Sequence, residues 1–300
     1  MKLLITGGLG FVGRHLSAQL LAAGHQVTAV GRNPAPAMIL NENFSYIAAD
    51  TTREGNWQEF VRGFDAVINL AGQSIFKRWN DRYKQLMYDS RVLTTRHLVA
   101  AIPENKKVVF LSTSAVGYYG NRQDDILVES EPGSDDFLGI LARDWEAEAM
   151  KAEKKGARVA VMRFGIVLGN GGGAFAMMKP AFKLFLGGPL GNGGQWFPWI
   201  HLTDLVGATQ FLLENESCSG PFNFCAPEPV RNRDLATAFG HVLTRPSILP
   251  VPAAMVRFIL GELGDVLMAS SRVVPERLKQ AGFSFRFPDV TSALLDLVNR

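Results

Sequence analysis

Residues 2–13 read KLLITGGLGFVG, a short apolar run that passes directly into a glycine-rich turn and then into a helical pattern. The run Lys2–Ile5 predicts a buried strand, and the apolar spacing over residues 11–23 predicts a helix packed on it. Gly24 then leads to a second apolar run, Val27–Val30. A strand, a glycine turn, a helix and a second strand in this order predict the first unit of a dinucleotide-binding fold.

The glycines of the turn have separate expected roles. Gly7 allows a tight turn, Gly10 lets the backbone approach a pyrophosphate, and Gly13 lets the helix pack closely on the strand. The free N–H groups at the start of the helix, around Phe11 and Val12, favour a phosphate. We therefore expect these five residues to bind a cofactor. The alternative is a glycine-rich turn that holds no ligand.

The same alternation continues along the first half of the chain. Further strands are predicted at residues 46–49, 66–70, 108–111 and 159–162, and helices at residues 83–101 and 137–154. Strands that alternate with helices predict an α/β protein with a doubly wound parallel sheet, the Rossmann architecture. The expected Rossmann domain covers residues 1–168, with residues 200–226 returning to it.

A smaller C-terminal lobe of the substrate-binding type is expected from residues 169–199 and 227–300. Its first part is dense in glycine between residues 169 and 194, which indicates loops that line or cover a site. The alternative is a loosely structured connector. Helices are predicted at residues 253–260 and 275–281, and the alternation in Phe283–Phe287 predicts a strand.

The end of the second strand indicates which cofactor is bound. NAD-preferring sites carry a carboxylate at this position, but this chain has Gly31, followed by Arg32 and Asn33. Glycine admits a 2′-phosphate, and a guanidinium pairs with phosphate oxygens through two hydrogen bonds. We therefore expect NADP in preference to NAD, with Arg32 as the contact. The alternative is that Arg32 is a solvated turn residue.

Other cofactor contacts are expected where the later strands end, because ligands of doubly wound folds sit at that edge of the sheet. Asp50 follows the third strand and can accept a hydrogen bond from an adenine amino group, or can instead be a turn or helix-capping residue. The run Asn69-Leu70-Ala71-Gly72 ends the fourth strand, and Ser112 ends the fifth. We expect both to border the cofactor.

Composition excludes several other classes of protein. The chain has 31 Lys and Arg against 28 Asp and Glu, with no basic block of the kind that nucleic-acid binding needs. No apolar run approaches the about eighteen residues of a membrane span. Cys218 and Cys225 suit a reduced, cytoplasmic protein, and no signal-peptide core is visible. The histidines and cysteines show none of the spacings of a metal site.

Three stretches resemble the extended short-chain dehydrogenases/reductases of the nucleotide-sugar epimerase type: residues 6–13, residues 111–120 (LSTSAVGYYG) and residues 199–204 (WIHLTD). The chain is more similar to an atypical branch of that superfamily, whose members also carry a stretch like residues 163–169 (RFGIVLG) and end in a small domain with a motif like residues 271–275 (SRVVP). The resemblance implies a Rossmann domain, a C-terminal substrate lobe and NAD(P) binding. It leaves the substrate open.

Two features depart from the pattern of active relatives. They use a Tyr-x-x-x-Lys pair, in which the lysine lowers the pKa of the phenol, whereas the stretch Glu131–Met150 has neither residue. Epimerase-like relatives place an arginine four residues before the histidine matched by His201, and here that residue is Phe197. The aromatic run Trp196–Trp199 favours a flat or apolar ligand over a nucleotide sugar, or else packs in the core or in a homodimer.

The remaining candidates for catalysis follow the fifth strand. Ser114 aligns with the serine that bonds the reacting oxygen in active relatives, and Tyr118 or Tyr119 could supply a phenol; a structural role for the tyrosines is the alternative. We expect an NADP(H)-binding oxidoreductase or epimerase-like protein that acts on a small molecule. The alternative is a non-catalytic dinucleotide sensor whose C-terminal lobe meets a protein partner.

Overall fold

A parallel sheet of seven strands lies at the centre of the computed structural model, which describes residues 1–34, 39–104, 106–247 and 249–299. The strands are β1 (Lys2–Thr6), β2 (Gln26–Gly31), β3 (Phe44–Ala48), β4 (Ala66–Asn69), β5 (Val109–Ala115), β6 (Ile126–Leu127), β7 (Arg158–Phe164), β8 (Ile166–Gly169), β9 (Trp196–Phe197), β10 (Trp199–His201), β11 (Gly220–Phe224), β12 (Val230–Arg231) and β13 (Arg272–Val273). The central sheet has the order β3-β2-β1-β4-β5-β7-β11.

Helices cover both faces of this sheet. They are α1 (Phe11–Ala22), α2 (Trp57–Val61), α3 (Asp81–Ala101), α4 (Phe137–Met150), α5 (Gly173–Lys183), α6 (Leu202–Glu214), α7 (Asn232–Leu243), α8 (Ala253–Leu260), α9 (Glu262–Met268), α10 (Glu276–Gln280) and α11 (Val290–Asn299). Short 3₁₀ turns span Val116–Tyr119 and Lys151–Lys155. Among the residues that the structure describes, no helix combines the length and the apolar character that crossing a membrane requires.

Strand β1 shows why the sheet forms three layers. Successive side chains of a strand point to opposite faces. Leu3 and Ile5 join the buried cluster that contains residues of α1 and α6, whereas Leu4 joins the cluster that contains residues of α2, α3 and α4. A strand buried on both faces needs a continuous apolar sequence, and β1 has one.

The order of the strands reverses at β1, because β2 lies on one side of it and β4 on the other. Such a reversal opens a crevice at the carboxyl ends of the strands, where ligands of doubly wound folds bind. The predicted Rossmann α/β fold is therefore confirmed. The segments that directly follow β1, β2, β4 and β5 lie at the edge of the sheet where this crevice opens.

The glycine-rich region after β7 is structured. It contains β8, which pairs with β10, and helix α5, which packs with α7 and α11 around Phe175, Phe239 and Leu294. A small pair, β12 with β9, lies in the same part, and β13 pairs with β6. The C-terminal region therefore contacts the segment that follows β5.

The strand predicted at Phe283–Phe287 is absent, and this prediction was wrong. These residues are irregular and have no strand beside them. The Phe283 ring packs against Phe211, and the backbone N–H groups of Arg286 and Phe287 donate to the buried carboxylate of Asp204 at 2.7 and 3.0 Å. Side-chain alternation alone does not make a strand, because a strand also needs a partner for its backbone.

Candidate functional site

The turn between β1 and α1 has the geometry of a phosphate cradle. Gly7 has a left-handed φ of +68°, and a Cβ on it would lie 3.0 Å from the carbonyl oxygen of Leu70. Helix α1 begins after Gly10 with no side-chain cap and no acidic residue in its first turn. Its first N–H groups are therefore left to bind an anion.

Gly10 and Gly13 differ in what surrounds them. Among the described residues, a Cβ on Gly10 would come close only to the carbonyl oxygen of Gly7, at 3.1 Å. A Cβ on Gly13 would lie 2.7 Å from the Cα of Gly8, which leaves no room for a side chain. The protein itself therefore requires glycine at position 13, while the space beside Gly10 is open to a ligand.

A second glycine turn covers the start of α1, and it belongs to the glycine-rich stretch from which loops that line or cover a site were predicted. A Cβ on Gly172 would lie 2.6 Å from Cδ2 of Phe11, and one on Gly173 would lie 2.8 Å from Cε1 of the same ring. The turn between β8 and α5 thus packs on Phe11 at the entrance of the cradle. The glycine density was visible in the sequence, but its contact with Phe11 was not.

At the end of β2, Arg32 is exposed and its Nη2 lies 3.4 Å from Oε1 of Gln73. It forms no ion pair within the described part of the chain. Asp50 accepts hydrogen bonds from the backbone N–H and the hydroxyl of Thr52, at 3.1 and 2.7 Å. Burial opposes its ionisation, but these hydrogen bonds and the charges of Arg32 and Arg53 outweigh burial and lower the pKa of Asp50. Asp50 therefore shapes a turn, one of the two roles considered.

At the end of β4, the side chain of Asn69 is fully buried. Its Oδ1 accepts from the Thr6 hydroxyl at 2.7 Å, and its Nδ2 donates to the Thr95 hydroxyl at 2.8 Å. This amide ties β1, β4 and α3 together and is not available to a ligand. Only the backbone that follows Asn69 can border the crevice.

Arg91 holds the backbone that follows Asn69 through hydrogen bonds, and nothing in the sequence pointed to this role. Its Nη2 donates to the carbonyl of Gln73 at 2.9 Å and its Nη1 to the carbonyl of Met87 at 3.0 Å. A Cβ on Gly72 would lie 3.2 Å from its Cζ. Burial lowers the pKa of Arg91 to about 10, so the guanidinium remains charged at neutral pH.

The end of β5 carries the three hydroxyls of Ser112, Thr113 and Ser114. Ser112 is fully buried beside Asn69, its partner in the sheet register. Ser114 is also buried, and its hydroxyl donates to Oε1 of Glu146 at 2.6 Å. Its proton is therefore held by Glu146, so in this arrangement Ser114 cannot donate to a substrate oxygen.

Thr113 occupies the opposite face of β5 from Ser112 and Ser114. Its Oγ1 is buried and has no hydrogen-bond partner among the described residues. A buried hydroxyl normally has a partner, so an unpaired one needs an explanation. Of the three hydroxyls at this strand end, that of Thr113 is therefore the one to which a ligand could supply the missing hydrogen bond.

Tyr119 is held in the protein interior, which opposes its role as a catalytic acid. Its ring has 0% exposure, and its hydroxyl contacts Nη1 of Arg163 at 2.8 Å and Oδ1 of Asn223 at 2.7 Å. Burial raises the pKa of this phenol well above its usual range. The structure thus gives Tyr119 the structural role.

Tyr118 has a different environment. Its ring lies between Gly133 and Arg163, whose Cζ is 3.7 Å from the ring centroid. Its hydroxyl makes no hydrogen bond within the described part of the chain. Arg163 is itself paired with Glu146, with Nη2 and Oε2 2.8 Å apart. Tyr118 is therefore the tyrosine of the pair that can offer its hydroxyl to a ligand.

Trp196 is flanked by charge and does not form part of a purely apolar wall. The guanidinium carbons of Arg231 and Arg272 lie 4.4 and 4.7 Å from its ring centroid. Its Nε1 donates to Oδ1 of Asp124 at 2.7 Å. The aromatic residues of this run could be seen in the sequence, but the two arginines that pack on Trp196 could not.

Most of the chain matches a family model. Residues 3–225 match the NAD dependent epimerase/dehydratase family, and residues 251–297 match a domain of unknown function, DUF1731. The chain is 40% identical to the chloroplastic epimerase family protein SDR39U1 homolog of Arabidopsis thaliana, over 98% of this chain and 86% of that protein. It is 38% identical to an epimerase family protein of Mycobacterium leprae, over 97% of this chain and 93% of that protein.

Solved structures agree with this assignment. A crystal structure of human epimerase family protein SDR39U1 (isoform 2) with NADPH superposes with a TM-score of 0.87 and 34% identity, covering 100% of this chain and 99% of that chain. The UDP-glucuronic acid 4-epimerase of Bacillus cereus, with UDP-glucuronic acid and NAD, gives a TM-score of 0.80 at 18% identity, covering 100% and 98% of the two chains, and shows the shared fold. This chain belongs to the NAD dependent epimerase/dehydratase family.

Proposed function

We propose that this protein binds NADP(H) and catalyses hydride transfer on a small carbonyl or alcohol substrate, as an oxidoreductase or an epimerase-like enzyme. The observation that carries the cofactor is Arg32, which lies exposed and without an ion pair in the described chain, at a strand end that lacks the usual carboxylate. The NADPH in the human SDR39U1 structure supports the same cofactor.

The residues present fit a dinucleotide. Gly7 and the uncapped start of α1 would hold the pyrophosphate, and Arg32 would hold the 2′-phosphate. When bound, the cofactor supplies or accepts the hydride. Buried, unbridged Cys218 and Cys225 support a cytoplasmic location for this function.

The protein's own part in the reaction would come from two hydroxyls. Within the described part of the chain, neither the buried Oγ1 of Thr113 nor the hydroxyl of Tyr118 has a hydrogen-bond partner. Either group can donate a hydrogen bond to a substrate oxygen and so stabilise the charge that develops there. Arg163, over the face of Tyr118, fixes the ring through a cation–π contact.

A non-catalytic dinucleotide sensor is the second candidate. Three observations favour it: the chain lacks the Tyr-x-x-x-Lys pair, the Ser114 proton is held by Glu146, and Tyr119 is buried. A sensor needs the cofactor cradle but no group that contacts a substrate oxygen.

Binding and turnover separate the two candidates. NADPH affinity should be measured by calorimetry, and NADPH oxidation should be followed at saturating cofactor against a panel of small carbonyl compounds. For any active compound, Tyr118→Phe and Thr113→Val should be compared with the wild type. A fall in kcat with unchanged NADPH affinity, in at least one of them, supports hydride transfer assisted by that hydroxyl.

The matched control is Tyr88→Phe, which removes a tyrosine hydroxyl that bonds Asp144 between α3 and α4. Tight NADPH binding with no oxidation of any compound would favour the sensor. If NADPH does not bind at all, both candidates are wrong.

A further inference from the structure

Arg272 lacks the hydrogen-bond partner that a buried guanidinium nitrogen normally has. Its Nε is buried and unpaired among the described residues. No carboxylate of that part of the chain lies within ion-pair distance of it. An unpaired buried donor is costly to a protein, because the water it lost has not been replaced.

Arg231 stands on the same indole ring but is already paired. Its Nη2 lies 2.8 Å from Oδ1 of Asp124, and its Nη1 donates to the carbonyl oxygen of Gly194. The same Asp124 oxygen also accepts from Nε1 of Trp196 at 2.7 Å. One carboxylate thus accepts from both Arg231 and Trp196, and Arg272 has no acidic partner among the described residues.

The charges of this group therefore do not cancel. The hydrogen bond from Trp196, together with Arg231 and Arg272, lowers the pKa of Asp124, so its carboxylate stays ionised. Two guanidiniums and one carboxylate surround Trp196, which leaves one positive charge. A guanidinium stacked on an indole keeps its N–H donors in its own plane, where they can meet a planar or tetrahedral oxyanion.

The backbone fixes this group beside the proposed catalytic turn. Arg272 lies on β13, which pairs with β6, and the hydroxyl of the preceding Ser271 donates to the carbonyl oxygen of Gly120. Gly120 directly follows the turn that carries Tyr118. The positive group and the Tyr118 turn are therefore tied together by a hydrogen bond and by a strand pair.

We propose that Arg272, with Arg231 beside it on Trp196, forms an oxyanion site that takes the carboxylate or phosphate group of the substrate. That the bound anion is part of the substrate rests on the proposed function. The substrate class is then a small anionic carbonyl or hydroxy compound, held at its charged end by the Arg272 guanidinium.

Site-resolved titration tests the proposal without the cofactor. Protein labelled with ¹⁵N in arginine should be titrated at constant ionic strength with inorganic phosphate and, separately, with acetate. The Arg272 Nε–H signal is identified by its loss in Arg272→Gln. We expect it to shift in a saturable way with at least one of the two anions, and the anion that binds more tightly identifies the preferred group.

The Trp196 signal provides the second readout. Its Nε1–H, labelled with ¹⁵N in tryptophan, should shift with the same apparent Kd in the wild type, and Arg272→Gln should raise that Kd about tenfold, equivalent to about 1.4 kcal/mol. The matched control is Arg233→Gln. Arg233 is exposed, and its substitution removes the same charge from a nearby position in the chain. That variant should leave the Kd within about twofold, equivalent to about 0.4 kcal/mol.

The proposal is wrong if the Arg272 signal follows neither anion, or if Arg233→Gln weakens binding as much as Arg272→Gln does. Failure of the proposed function has a different signature. In that case the wild type would not bind NADPH, or would bind it without oxidising it for any compound, while the response of Arg272 to phosphate or acetate would be unaffected.

Discussion

Arg163 and Glu146 are joined by two parallel hydrogen bonds, from Nε to Oε1 and from Nη2 to Oε2, each 2.8 Å long. The pair is buried, with side-chain exposures of 4% and 12%. Burial opposes the charge of Arg163, but the hydrogen bonds and the attraction of Glu146 outweigh it and raise the pKa of the guanidinium. This pair holds Ser114 on one side and Tyr119 on the other.

Removing one member of that pair should strongly destabilise the protein. Glu146→Leu leaves the Arg163 guanidinium buried without its anion, at an expected cost of about 3–5 kcal/mol in the free energy of unfolding. Urea denaturation measures this, with Glu153→Leu on the exposed 3₁₀ turn as the control. The double variant Glu146→Leu/Arg163→Met should be more stable than Glu146→Leu. A loss below about 1 kcal/mol would mean that the pair behaves as an exposed one.

The two glycines of the cradle should respond differently to substitution. A Cβ on Gly13 would overlap the carbonyl oxygen of Gly7, so Gly13→Ala should lower stability and disturb the turn. Gly10→Val should lower the thermal midpoint less than Gly13→Ala does, because its Cβ contact with the Gly7 carbonyl is less close, and should weaken NADPH binding by at least tenfold, or about 1.4 kcal/mol. Scanning calorimetry and titration calorimetry give the two quantities. Unchanged affinity in Gly10→Val would place the cofactor elsewhere.

Arg32→Ala should remove most of a preference for NADPH over NADH. A charge-assisted hydrogen bond contributes about 1.5–3 kcal/mol, which corresponds to a preference of about ten- to a hundredfold. Titration of each variant with both cofactors measures it, and Arg62→Ala, on the exposed end of α2, controls for the change in charge. Equal affinity of the wild type for NADPH and NADH would contradict the role given to Arg32.

The two adjacent tyrosines should separate in their effect on stability. Tyr119→Phe leaves the buried Oδ1 of Asn223 without its donor, an expected loss of about 1–3 kcal/mol. Tyr118→Phe removes a hydroxyl that bonds none of the described residues, so we expect a change within about 0.5 kcal/mol. Denaturant midpoints compare them directly. Similar losses in both variants would show that the Tyr118 hydroxyl also has a structural role.

Glu129 should make stability depend on pH. Its buried carboxylate accepts from the backbone N–H of Asn223 at 2.9 Å, and burial raises its pKa above the usual 4.5. A raised pKa in the folded state stabilises the protein below the pKa of the unfolded chain, and this contribution is lost as pH rises through the folded-state value. The wild type should therefore lose stability relative to Glu129→Gln between pH 4.5 and neutrality. The measurement is the free energy of unfolding of both proteins as a function of pH, and parallel curves would contradict this role of Glu129.

The first strand and its turn could be read directly from the sequence. The run Lys2–Ile5 and the helix from Phe11 follow one another along the chain, and the constraints on them, apolar continuity and glycine backbone freedom, are local. The prediction for Phe283–Phe287 was wrong because a strand also requires a neighbour, which the alternation of side chains does not specify.

The sequence by itself determined the Rossmann fold, the cradle at Gly7–Gly13, the basic end of β2 at Arg32 and the absence of the Tyr-x-x-x-Lys pair. Only the tertiary structure decided what the polar side chains do. The Ser114 hydroxyl donates a hydrogen bond to Glu146, 32 residues away, and the Trp196 ring packs against Arg272, 76 residues further along the chain. The physical reason is that backbone conformation follows from neighbouring residues, whereas the partner of a hydroxyl or a guanidinium depends on which distant elements pack against it.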